Sequence, residues 1–320
     1  MAHRRLTKPG RETKDALGSL RLQKQGVNMP DVVVVNNLMK KYGQRLAVAG
    51  LSFSVGPGQT LGLLGPNGAG KTTTMRMLMG LSRPSSGSIS IFGIPLANGL
   101  KQVHSRIGVV FEKPNLMENL SAYQNLALSC KLYGQPLSRI QSLLERMDLW
   151  SRARDPVRSY SKGMRQRILI IRALIHEPEL LFLDEPCSGL DPVSSRIIRD
   201  YLLELKRGGI TIILTSHDMT EVDELCDQIG FINHGELVVM AEPRELKERF
   251  GQSGLKVTFR QDSQISEAVI APTSENLGWL AGLYAENRVV AVHSMEATLD
   301  EIFRKLSDSK LGQQPSDELH

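Results

Sequence analysis

A chain of 320 residues, 41% hydrophobic and 23% charged, is long enough for one large buried core with a small addition. The longest apolar stretch, Ile168 to Leu183, is interrupted by Arg172, His176, Glu177 and Glu179, which excludes a membrane-spanning helix there. The net charge of +5 is confined to residues 1–29, where seven basic residues face only Glu12 and Asp15; the remaining 32 basic and 32 acidic residues leave the body neutral.

Residues 1–29 read as a basic, disordered tail, or as residues upstream of a true start at Met29. A sharper reading is attraction to anionic lipid, worth about 1 kcal/mol per basic residue near the surface. The tail has no aromatic residue for base stacking, so no nucleic-acid partner is expected. It also lacks an apolar run of the kind a secretory signal needs. Cys130, Cys187 and Cys226 are odd in number and far apart, which fits neither a zinc site nor a disulfide framework and points to a reducing cytoplasm.

The β-branched run Asp31 to Val35 leads through Leu38, Tyr42, Leu46 and Val48 to a second strand, Leu51–Val55, and the turn Gly56-Pro57-Gly58. An antiparallel β start is expected. Tyr42 offers a flat ring that can stack on a purine, although a lone tyrosine is ordinarily half-buried surface. A short apolar strand, Thr60–Leu64, then runs into Gly65-Pro66-Asn67-Gly68-Ala69-Gly70-Lys71-Thr72-Thr73 and a helix expected over Thr73 to Gly80. The spacing G-x-x-x-x-G-K-[ST] makes this a phosphate-binding loop. Backbone N–H groups wrap phosphates most closely where Cβ atoms are absent, and the helix points its positive end at them. Lys71 is placed to reach the β- and γ-phosphates, and the Thr72 hydroxyl to ligate Mg²⁺.

Strands are expected at Gly87–Gly93 and Ile107–Phe111. Helical spacing from Ser121 to about Leu149, broken at Gly134-Gln135-Pro136, marks an insertion within a helical subdomain of about 112–175. Most of its Leu and Met residues read as core. Ser159 to Arg167 precedes a helical run at Ile168–Ile175. Ser161, Gly163 and the free backbone donors there offer an anion site, although serine before a helix is ordinarily an N-cap.

The buried-strand run Leu180–Leu183 ends in two carboxylates. Asp184 is placed to bind Mg²⁺ through its water shell, and Glu185 to accept the proton of an attacking water. Without the phosphate loop such a pair would read equally as a helix cap. Ser188-Gly189-Leu190-Asp191-Pro192 turns into a helix at Val193–Lys206, and the strand Ile210–Thr215 delivers Ser216 and His217 at its carboxyl end. That is where α/β sheets place ligand-binding groups, and His217 can reach a γ-phosphate from there. Strands Ile229–Asn233 and Leu237–Ala241, with a helix near Pro243–Phe250, close a domain of residues 30–250. Residues 251–308, with strands Leu255–Phe259 and Arg288–Val292 and an amphipathic helix at Ala297–Leu306, read as a small α+β appendage, and 309–320 as a polar tail. The expected fold class is α/β: a P-loop NTPase core with an antiparallel β subdomain and a helical insertion, plus a small C-terminal α+β appendage.

Taken in order, Tyr42, the loop Gly65–Thr73, Tyr160-Ser161-Lys162-Gly163-Met164-Arg165-Gln166-Arg167, Leu180-to-Pro186, Ser188-to-Pro192 and His217 resemble the ATP-binding subunit of an ABC transporter over residues 32–250. Within that family the Ser-Lys-Gly-Met signature and the tail Ser294–Leu306 are similar to drug- and polysaccharide-exporter ATPases, the daunorubicin-exporter subgroup. The resemblance implies an ATPase using ATP and Mg²⁺. Tyr42 would stack on adenine, Lys71 and Thr72 would hold phosphates and Mg²⁺, Glu185 would polarise water, and His217 would contact the γ-phosphate. It further implies a head-to-tail homodimer in which each ATP lies between the phosphate loop of one copy and Ser161 and Gly163 of the other, with Asp191 linking the two sites. A separate integral membrane permease would convert closure into transport, placing the chain peripherally on the cytoplasmic face of the inner (plasma) membrane. Where the family commonly has glutamine this chain has Glu112, a ligand candidate for both nucleotide and metal, and where it commonly has threonine this chain has Cys187. The competing reading, a soluble ABC ATPase acting on ribosomes or DNA, usually has two cassettes or a long coiled coil, and neither is found. A GTPase or kinase reading lacks an Asn-Lys-x-Asp motif.

Overall fold

The structure, a computed structural model, describes residues 30–250, 254–261, 264–295 and 298–308. The basic and polar tails expected at 1–29 and 309–320 lie outside the described residues. Strands β1 (Val33–Tyr42) and β2 (Arg45–Val55) form a long antiparallel hairpin in which Tyr42 pairs with Arg45 across the turn. β3 (Thr60–Leu64) leads through the phosphate loop into helix α1 (Lys71–Leu78), so Lys71 and Thr72 stand in the first helical turn rather than before it. β4 (Ser86–Ile91) and β5 (Ile94–Pro95) join the first hairpin in a four-stranded sheet ordered β2-β1-β4-β5, and α2 (Leu96–His104) follows.

After β6 (Ile107–Val110) the chain enters the helical insertion. Its helix α3 (Ala122–Tyr133) starts with a reciprocal Ser121–Gln124 capping box and stops at Gly134, and α4 (Arg139–Arg146) comes next. Helix α5 spans Lys162–Leu174, beginning six residues earlier than the apolar run suggests, because the Ser161 hydroxyl accepts the Met164 N–H and nucleates the first turn there. β7 (Leu180–Asp184), α6 (Pro192–Arg207), β8 (Thr211–Thr215), α7 (Met219–Leu225), β9 (Gln228–Asn233), β10 (Glu236–Ala241) and α8 (Pro243–Phe250) complete this part.

The main sheet is ordered β10-β9-β3-β8-β7-β6; all neighbours run parallel except β10. β3, β7 and β8 are buried at every residue, as strands covered on both faces must be, and this explains their continuous rather than alternating hydrophobicity. Successive side chains serve opposite cores. Leu180 and Phe182 pack with α1, α2 and the antiparallel sheet, whereas Leu181 and Leu183 pack with α3, α5, α6 and α7. The parallel strands β3, β8 and β7, five residues each, bring their carboxyl ends into one line, and that line carries the site.

The carboxyl-terminal segment divides. β11 (Gly254–Gln261), β12 (Gln264–Ile270), helix α9 (Ser274–Ala285) and β13 (Val289–Met295) form a three-stranded sheet ordered β12-β11-β13 with its own small core of Val257, Phe259 and Leu283. Helix α10 (Leu299–Asp308) does not stay with it. Its Leu299, Ile302, Phe303 and Leu306 join the main core, and the Phe303 ring stacks on Phe231 of β9 with centroids 4.9 Å apart. The expectation of one appendage over 251–308 is corrected at this helix, whose apolar stripe is better covered by the main core than by the small sheet.

Candidate active site

At the carboxyl ends of the parallel strands lies a cleft of about 730 Å³. Tyr42, Asn67, Gly68, Gly70, Lys71, Thr72, Thr73, Glu112, Asp184, Glu185 and His217 all line it, so residues scattered over 175 positions meet in one place. Gly65, Pro66 and Ala69 belong to the same loop but do not line the cleft. Gly65 has φ 144°, and a Cβ there would stand 1.9 Å from the Ile232 carbonyl oxygen, so no other residue lets the loop pass β9. The Lys71 ammonium donates to the Gly65 and Pro66 carbonyls at 2.5 and 3.1 Å, folded back along the loop. Burial lowers its pKa from the ordinary lysine value, and the carboxylates of Glu185 and Asp184 oppose that shift.

Asp184, buried at the end of β7, accepts the Thr215 hydroxyl at 2.6 Å. The same Thr215 oxygen accepts the Glu185 N–H at 3.1 Å, as does the Thr215 carbonyl at 3.1 Å. These bonds hold Glu185 at φ 53°, in the left-handed region that a non-glycine residue adopts only under constraint. The strained backbone aims the carboxylate across the cleft, where His217 Nδ1–H donates to Glu185 Oε2 at 2.6 Å. A carboxylate only accepts, so the imidazole donates through Nδ1, and Nε2 points away from that contact. Tyr42 is half exposed, with the Lys40 ammonium 5.0 Å from its ring centroid.

Ser161, Gly163 and Asp191 do not line this cleft. Ser161 caps α5, and Asp191 caps α6 by accepting the Ser194 N–H at 2.9 Å. Gly163 abuts that second cap, where a Cβ would meet Ser194 Oγ at 2.2 Å. The three therefore cluster at two adjoining helix starts. Lys162, between Ser161 and Gly163, donates to the carbonyl of Ser188 at 2.6 Å, and Ser188 is itself a cleft residue.

The structure adds Arg45, Ala47, Ser188 and Thr215 to the cleft. Thr215 was legible in principle, since it pairs with Asp184 across two five-residue parallel strands. Arg45 depends on the hairpin turn between β1 and β2, which carries no chemical motif.

Comparison with known proteins places these features among relatives. The ABC transporter family matches residues 48–188. A fluoroquinolones export ATP-binding protein of Mycobacterium tuberculosis is 38% identical over 286 residues, which cover 88% of this chain and 95% of that protein. The Nod factor export ATP-binding protein I of Ralstonia nicotianae is 37% identical over 256 residues, covering 79% and 80%. Among solved structures, an ATP-binding subunit of an ABC transporter superposes with a TM-score of 0.63 at 30% identity, covering 69% of this chain and 93% of that one.

Proposed function

Because the chain belongs to the ABC transporter ATP-binding family and is an ATP-binding, ATP-hydrolysing subunit, we propose that it powers a separate membrane permease, in the export direction, by closing and reopening a head-to-tail pair of its own copies. The observation that carries this reading is the division of the site. One cleft collects the phosphate loop, Asp184, Glu185 and His217, while Ser161, Gly163 and Asp191 sit at helix starts outside it. A second copy supplies the missing side of each cleft. The names of the relatives, which specify export, support the direction; a peripheral position on the cytoplasmic face of the membrane belongs to the same proposal. No helix among the described residues is long and apolar enough to cross a membrane, in keeping with a separate permease.

In this reading Tyr42 stacks on adenine and the loop Gly65–Thr73 wraps the phosphates. The donors fit Mg²⁺ as well. Asp184 gives one oxygen to Thr215, leaving the other for a cation, and no group of three or more His, Cys, Asp or Glu among the described residues forms a cage. Mg²⁺ favours such sparse sites, shared with phosphate and water, so Thr72, Asp184 and Glu112 are its proposed holders. When bound it neutralises charge on the phosphates. Glu185 takes the proton of the attacking water, and His217, held through Nδ1, can as imidazolium donate from Nε2–H to the γ-phosphate. Phe111 lines a neighbouring groove of about 380 Å³ with Leu81, Val109, Leu132 and Tyr133, one residue from Glu112 in the cleft. An apolar permease segment seated there would feel the cleft through that one peptide unit.

Glu185→Gln tests the reading. The amide keeps the shape but cannot take a proton, so ATP binding persists while turnover falls about 10²- to 10⁴-fold. An ATP-bound dimer then accumulates and is seen by light scattering in Mg-ATP. Hydrolysis near the wild-type rate would remove Glu185 from the role of base.

A further inference from the structure

Helix α7 buries Glu221, Val222 and Leu225 on one face, and a glutamate has no packing advantage in such company. Glu221 is only 1% exposed. Its Oε2 accepts the Ser216 hydroxyl at 2.5 Å, and the Ser216 oxygen in turn accepts the Asp218 N–H at 3.0 Å. The other oxygen, Oε1, is buried without a hydrogen-bond partner, while the Cys187 thiol donates to the Ser195 carbonyl at 3.9 Å. Burial pushes the Glu221 carboxyl up and the nearby acids Asp218 and Glu185 add to this, whereas the Ser216 hydrogen bond opposes it.

The residue it holds is placed with consequence, since Ser216 immediately precedes His217. The His217 side chain is 69% exposed, so packing does little to hold it and its backbone must. We propose that Glu221 is a positioning residue for hydrolysis: by holding the Ser216 hydroxyl, it fixes the backbone after β8 that carries His217, and so sets the reach from His217 to Glu185. The inference rests on the roles assigned to that pair above. It also accounts for an acid where an apolar residue would pack at lower cost.

The test uses the full chain in steady-state Mg-ATP hydrolysis, with affinity read separately by a fluorescent ATP analogue. Misplacing a reacting group by an ångström can cost on the order of 10²-fold in rate, so Glu221→Ala should lower kcat about 10- to 100-fold with KM and analogue affinity within about twofold. Glu221→Gln keeps an acceptor for Ser216 and should stay within about threefold of wild type. Ser216→Ala should reproduce the Glu221→Ala loss, and the double variant should add nothing, since both cut one link. If Glu221→Ala does not fold, Ser216→Ala carries the same test. Wild-type kcat in Glu221→Ala or Ser216→Ala overturns the proposal, as does a Gln variant no better than Ala, or a rise in KM at unchanged kcat. Glu185→Gln run alongside separates the premises: if it hydrolyses normally, the pair's role fails, whereas if only the Glu221 and Ser216 variants are normal, the link alone fails.

Discussion

Lys71 holds its ammonium against two loop carbonyls in a half-buried position, between Asp184 and Glu185 on one side and the phosphate loop on the other. Replacing it with alanine removes charge-assisted hydrogen bonds worth about 1.5–3 kcal/mol, so affinity for a fluorescent ATP analogue should fall roughly 10- to 100-fold. Unchanged affinity would contradict the phosphate-loop assignment. Glu112 lines the same cleft, where a carboxylate can ligate Mg²⁺ but also repels phosphate. Glu112→Gln should therefore preserve hydrolysis and tighten Mg-ATP binding, while Glu112→Ala loses the metal contact. ATPase assays across a Mg²⁺ titration decide: identical curves for all three chains mean Glu112 plays no part, and a Gln variant as impaired as Ala means the carboxylate itself is required. At this scale the sequence shows those residues whose chemistry is bound to a fixed spacing, such as Lys71, Asp184 and Glu185. Thr215 follows once two strands are known to end level, whereas Arg45 stays hidden because it matters only where a hairpin turns.

The elements follow their local signals unevenly. Helix α6 has Asp191 as cap and Pro192 in its first turn, and its bounds could be read within a residue. α5 was harder to delimit because its first turn is polar and contains Gly163, a poor helix former. That glycine is retained by space: a Cβ would come within 2.2 Å of Ser194 Oγ and 2.5 Å of Ser194 Cβ. Gly163→Ala should push the starts of α5 and α6 apart despite alanine's better propensity, lowering stability by about 1–3 kcal/mol. A calorimetric scan would show a lower Tm, and turnover should fall while the isolated copy still binds nucleotide. An unchanged Tm would mean that the two helix starts yield without cost. α9 escaped notice altogether, since Gly278 and Gly282 dilute its apolar pattern and only Leu283 of its residues is buried.

For the whole molecule, the last helix is a fastener. α10 leaves the small sheet and returns to the main core, laying Phe303 on Phe231 of β9, the strand beside the one that feeds the phosphate loop. Phe303→Ala removes a buried ring at a cost of about 3–5 kcal/mol, which should lower Tm by on the order of 10 °C. A scan unchanged within error would show that α10 contributes no fastening. Nothing in the local pattern of residues 297–306 says which core will receive that apolar stripe; the choice depends on contacts distant in sequence. The separation of Ser161, Gly163 and Asp191 from the cleft carries a different consequence, one of inheritance. If every working site draws one half from each of two chains, a gene copy encoding the Glu185→Gln protein does more than fail to contribute. Mixed at equal dosage with the intact copy, it leaves only roughly a quarter of the pairs free of defect, so the variant acts as a dominant allele although the intact gene is still expressed.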